Sequence, residues 1–107
     1  MKNEHQVIWE NHNTYRPPHA GGLTDTHEWI YKLNDEFVIK KDILTRLNST
    51  GQYVRSKEYI ISLCRIDDLD IRDKKTAFLK LPVDIIMTDD ESEANKAFSE
   101  FCHRIDG

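Results

Sequence analysis

The sequence predicts an α+β domain: a small, largely antiparallel sheet, one or two central helices, and a C-terminal amphipathic helix packed on one sheet face. Three stretches carry this prediction. In TDDESEANKAFSEFCHRIDG the apolar residues recur with the 3.6-residue period of a helix, whereas in HEWIYKLNDEFVIK and AFLKLPVDIIM they alternate with the two-residue period of a strand. A chain of 107 residues suits a single domain, 1–107, with one core. A domain of that size buries roughly two thirds of the surface its unfolded chain exposes.

The first apolar run, QVIW, predicts a strand. After it, residues 12–27 place His12, His19 and His27 beside Pro17-Pro18 and Gly21-Gly22. The prolines favour an extended backbone and the glycines permit positive φ, so 12–27 is expected to form a long loop, a rigid piece followed by a swivel. Long loops often carry function, which makes Tyr15, Arg16 and His19 candidate partner contacts; a plain connector is the competing reading.

HEWIYKLNDEFVIK predicts a hairpin with two open registers. A turn at Asn34-Asp35-Glu36 sets Leu33 opposite Phe37, Tyr31 opposite Ile39 and Trp29 opposite Lys41. A two-residue Asn-Asp turn pairs Ile30 with Ile39 and Glu28 with Lys41 instead. In the middle of the chain, Ile43, Leu44 and Leu47 suit a short helix begun at Asp42 and stopped at Gly51, and Tyr59, Ile60, Leu63 and Cys64 suit a second. EYIISLCRI is also rich enough in isoleucine to be a buried strand. The succession FVIKK, DILTRLNS, TG, RSKEYIISL resembles that of ribbon-helix-helix DNA-binding proteins over about 30 residues. That resemblance implies a dimeric regulator contacting duplex DNA through lysines such as Lys40 and Lys41.

In AFLKLPVDIIM, the residues Leu79, Leu81, Val83, Ile85 and Met87 share one face, which is expected to be the buried one. Pro82 cannot donate to a ladder, so it belongs at an edge or a bulge, or else divides two short strands; an edge is preferred. The helix is expected over 88–105, with Ala94, Ala97, Phe98, Phe101, Cys102 and Ile105 on its core side. Thr88 and Glu91 have the spacing of a capping box, and His103 and Arg104 complement the dipole at the last turn.

Charge and motif content narrow the function. The 15 basic and 19 acidic residues give a net charge of −4, and the acid excess peaks between Asp84 and Glu93, where five carboxylates lie without a basic residue. Duplex binding would therefore need local clustering of cations. No nucleotide-binding, zinc-protease or nucleophile-elbow motif occurs, and the three histidines lack the short spacings of metal ligands, so no catalytic residue, metal or cofactor is expected. Two cysteines outside any CxxC pair read as buried thiols. No 18-residue apolar run or signal-type start is present, which sets the expectation of a cytoplasmic protein.

The function expected is that of a small binding or inhibitor protein of the immunity, antitoxin or phage-inhibitor type. Its partner would be another protein with a basic surface, met by Asp84, Asp89, Asp90 and Glu93. The same carboxylates also stabilise a helix start. The alternatives are the ribbon-helix-helix regulator and a metal-dependent enzyme.

Overall fold

The computed structural model describes residues 5–18 and 21–106. A five-stranded antiparallel sheet has the order β1 (Gln6–Tyr15), β2 (Thr24–Lys32), β3 (Phe37–Leu47), β4 (Val54–Arg65), β7 (Asp84–Thr88). Between β4 and β7 the chain forms a separate hairpin, β5 (Leu69–Ile71) with β6 (Ala77–Leu79), and it ends in one helix, α1 (Glu91–Asp106). The α+β class stands, with a single α-helix, the C-terminal one, among the described residues and no central one among them.

The segments expected as central helices are the long strands β3 and β4. Tertiary burial decides this. Ile61 and Leu63 of β4 pack toward the helix while Cys64 packs on the opposite face with Val38, so β4 is buried on both sides. A strand covered on both faces shows a continuous apolar run rather than alternation, and such a run can be mistaken for a helix. With both helices replaced by strands, the ribbon-helix-helix resemblance fails at the level of fold.

The β2–β3 hairpin adopts the first of the two registers, with Tyr31 opposite Ile39 and Trp29 opposite Lys41. Asn34 selects it. Its Oδ1 accepts the backbone N–H groups of Glu36 and Phe37 at 2.7 and 2.9 Å, closing a turn over Asn34, Asp35 and Glu36. The segment 12–27 is mostly strand rather than loop, because His12 pairs with His27 and Tyr15 with Thr24. β1 ends at Tyr15, just before Pro17 and Pro18, which lack the N–H groups that a longer ladder needs.

Each sheet face has its own core. On one, Ile39, Tyr59, Ile61 and Leu63 meet Ala94, Ala97 and Phe101 of α1, with Phe98 edge-on to Tyr31. On the other, Trp9, Ile30, Val38 and Cys64 are covered by Ile66, Leu69, Ala77 and Leu79 from the turn and hairpin after β4. Trp9 Nε1 donates to the Asp73 carbonyl at 2.9 Å and ties the hairpin down.

The helix starts later than the expected 88. Thr88 stays in the ladder opposite Tyr59, so capping passes to Asp90, whose Oδ1 accepts the Ser92 N–H at 2.8 Å. Thr88 Oγ1 donates to Glu93 rather than taking part in a box with Glu91. Pro82 lies between β6 and β7 and divides two short strands, outside the edge strand itself.

Candidate functional site

Strand β7 is one edge of the sheet. Ile86 lies opposite Ile61 and packs into the helix-side core, so Ile85 and Met87 face the other way, opposite Ser62 and Ile60. There they meet no cover. Leu81, Val83, Ile85 and Met87 are 48–75 % exposed. The expectation that they form a buried face is thus overturned; of that set only Leu79 is partly covered, against the second core. Alternation shows that two faces differ, and the β5–β6 hairpin covers the face of β1 to β4 without reaching the β7 side chains.

The edge is closed to strand addition at one point. The Ile85 N–H donates to Asp84 Oδ1 at 2.8 Å, and Arg104 Nη1 donates to Asp84 Oδ2 at 2.9 Å. The Arg104 contact and the Ile85 amide together hold the Asp84 carboxyl below the usual carboxylate range. Next to β7 stands the acidic helix start, where Asp89, Asp90, Glu91 and Glu93 are all exposed. Asp90 caps the helix and Glu93 accepts from Thr88, so both have intramolecular work; Asp89 makes no side-chain hydrogen bond or ion pair among the described residues.

The other predicted contacts lie elsewhere. Tyr15 ends β1, the opposite edge of the sheet, and Arg16 Nη2 donates to the Ser49 carbonyl at 3.1 Å. His19 falls outside the described residues. The predicted residues therefore form two separate groups rather than one surface.

His12 and His27 do come together, through strand pairing. Their rings stack 4.4 Å apart and 4° from parallel, and His27 also stacks on Trp29 at 3.7 Å. Their Nε2 atoms turn to different carboxylates, His12 to Asp25 at 2.8 Å and His27 to Glu10 at 2.6 Å. Burial raises the Asp25 carboxyl, but the Thr14 hydroxyl and His12 outweigh it and the net displacement is downward. Among the described residues no group of three or more His, Cys, Asp or Glu side chains could hold a metal ion.

A charged cluster that sequence reasoning missed sits within the sheet. Glu28 and Asp42 are cross-strand neighbours, and Lys40 Nζ bonds both, at 3.0 Å from Glu28. Burial works against the Lys40 ammonium, yet Asp42 and Glu28 overcome it and hold Lys40 above its ordinary value. One cation serves two anions, so burial, reinforced by the Glu28 charge, leaves the Asp42 carboxyl raised despite Lys40. The signal was KKD inside an apolar strand, visible only once that strand is recognised.

No described helix is long and apolar enough to cross a membrane. No family model, curated protein or solved structure matches the chain.

Proposed function

We propose that this chain is a small binding protein of the inhibitor or immunity type, which occupies another protein through the outward side of β7 and the acidic helix start beside it. The observation that carries the reading is the apolar alternation from Leu81 to Met87, the pattern of a buried face, left exposed by the chain's own fold. An exposed stripe of this kind marks an interaction surface when polar residues rim it. Fully burying an Ile, Leu, Val or Met side chain contributes about 1.5–3 kcal/mol, so Ile85 and Met87 would supply lifetime to the complex. Asp89, Asp90 and Glu93 would steer a partner whose contact surface is rimmed by lysine and arginine.

Two further points support this mode. The Asp84 carboxylate occupies the Ile85 amide, which favours docking on the face over addition of a strand at the edge. A second copy of this chain is a poor occupant, because it would bring the same carboxylates and a net charge of −4 against each other. Both cysteines are thiols rather than a disulfide, in keeping with a proposed cytoplasmic site of action.

The test compares the wild-type chain with Ile85→Ser/Met87→Ser and with Asp89→Asn/Asp90→Asn/Glu93→Gln as bait in native cell extract. Binding of the captured protein is then timed at two salt concentrations. Asparagine is itself a good helix cap, so the acid variant keeps its fold. The serine variant should lose the partner, and the acid variant should associate more slowly with a flatter salt dependence. Undiminished capture by a folded serine variant would refute the reading.

A further inference from the structure

The distal end of the sheet, on the face away from α1, holds a cleft of about 330 Å³, near the lower end of volumes typical of small-molecule sites. Its floor is one row of the sheet, in which Tyr15 pairs with Thr24, Thr24 with Arg46, and Arg46 with Ser56. Pro17, Leu23, Leu44 and Leu47 add apolar walls, and Arg55 completes the lining.

The arginines divide by location. Arg65, Arg72 and Arg104 each face a carboxylate, Glu36, Asp70 and Asp84, at 3.5, 3.2 and 2.9 Å. Arg46 and Arg55 in the cleft, and Arg16 between the lining residues Tyr15 and Pro17, make no ion pair among the described residues. Glu58, one row further in opposite Leu44, pairs with none of them. In a chain with more acidic than basic residues, unpaired arginines gathered at one cleft leave a local positive site. A second, independent observation points the same way. Thr24 is 8 % exposed, lines the cleft, and its hydroxyl has no hydrogen-bond partner among the described residues. Buried hydroxyls are almost always satisfied, so one open to a cleft has a place for a ligand oxygen.

We propose that this cleft binds a phosphomonoester with a flat, apolar body, of the size class of a mononucleotide. Two guanidinium groups match the charge of about −1.5 to −2 that a phosphomonoester carries near neutral pH, whereas one carboxylate would leave a cation unpaired. The half-exposed Tyr15 ring and Pro17 offer the body a stacking surface. The site is preformed. Leu47 N–H donates to the Leu23 carbonyl at 2.8 Å, Arg16 is tied to Ser49, and Gly22 lies so close to β3 that a Cβ there would stand 2.0 Å from the Leu47 carbonyl oxygen.

Calorimetric titration of the full chain at low salt tests this, with adenosine 5′-monophosphate, adenosine, and a dinucleotide with and without a 5′-phosphate. The monophosphate should bind, and adenosine should not. Arg46→Gln and Arg55→Gln, both at exposed positions, should keep the wild-type unfolding midpoint and each weaken binding by about tenfold or more. Thr24→Val should weaken it too. Binding of the 5′-phosphorylated dinucleotide alongside the monophosphate would mark nucleic-acid ends as a source of the ligand, and binding of the monophosphate alone would mark free nucleotides; either supports the site. No heat with millimolar monophosphate, equal binding of adenosine, or wild-type affinity in both arginine variants would overturn it.

Discussion

Replacing Lys40 by methionine removes the one cation between two carboxylates on adjacent strands while keeping most of the side chain's apolar stem. The side chains of Lys40 and Asp42 are only 13 % and 14 % exposed, and Glu28 and Asp42 stand directly opposite each other. At an effective dielectric constant of about 20, unit charges roughly 4 Å apart attract or repel by about 4 kcal/mol. Desolvation of each ion costs several kcal/mol, so the intact cluster contributes little net stability. Loss of the cation is another matter, because it leaves like charges paired across strands with only the neutral Asn11 amide, donating to Glu28 at 3.2 Å, to offset them; a loss of about 3–5 kcal/mol is expected in urea unfolding at neutral pH. The pH dependence has a definite sign. Lys40 is raised in the fold, so its contribution is fully present below about pH 10.4, and is lost as pH rises through the folded value, where wild type and variant should converge. Toward acid, protonation of Asp42, whose carboxyl is raised in the fold, should also shrink the variant's deficit. Adding Glu28→Gln and Asp42→Asn to Lys40→Met should recover most of the loss at neutral pH. A single variant as stable as wild type at pH 7 would show that the cluster is hydrated rather than buried, and would refute the reasoning.

Three other expectations concern packing and reactivity. Phe101 is fully buried between α1 and the sheet, so Phe101→Ala should cost about 3–5 kcal/mol in the same assay, and an unchanged midpoint would detach the helix from the core. Gly22→Ala places a methyl group against backbone and should destabilise by about 1–3 kcal/mol, whereas Gly21→Ala, with nothing within 4 Å of the new carbon, should be nearly neutral; equal effects would discount the close approach at Gly22. Burial pushes the Cys64 thiol up to about 11, so a thiol reagent at pH 8 should modify only the half-buried Cys102 in the native protein and both after denaturation. Native labelling of Cys64 would contradict its place in the second core.

The parts of the fold legible in the sequence are those where one local pattern has one outcome. Ala94, Ala97 and Phe101 recur at helical spacing on a segment with one covered side, and Asn34 carries its own turn chemistry. β4 was ambiguous because Ile61 and Leu63 serve one core and Cys64 the other, which erases the period that distinguishes strand from helix. β7 failed differently. Its period shows in the sequence and its orientation does not, since whether Ile85 or Ile86 points inward depends on what lies across the sheet. The acidic run from Asp84 to Glu93 was visible as charge, but its internal bonds to Arg104, Ser92 and Thr88 are visible only in three dimensions. Arg46 and Arg55 carry no local signal at all. Arg46 joins Tyr15 because three strand pairings bring β1, β2, β3 and β4 into one row, and Arg55 stands beside it where the β3–β4 register shifts.

The placement of the two surfaces follows from how the sheet is covered. α1 packs over β3, β4 and β7, and the β5–β6 hairpin packs over the row containing Trp9, Ile30 and Val38, so apolar burial is concentrated toward one end. At the other end the rows are polar: Asn13 with Thr26, Thr14 with Asp25, Thr45 with Lys57. Ladder hydrogen bonds and the Gly22 contact hold that end together more than a core does. Thr24 and Thr45 are buried there, but Arg46 and Arg55 are exposed and can vary with little effect on folding. The same holds for Ile85 and Met87, which lie on the face of the second core but beyond its cover. The recognition proposed for either surface is therefore separable from stability, whereas changes at Lys40 or Phe101 act on folding first and would reach the proposed binding only through it.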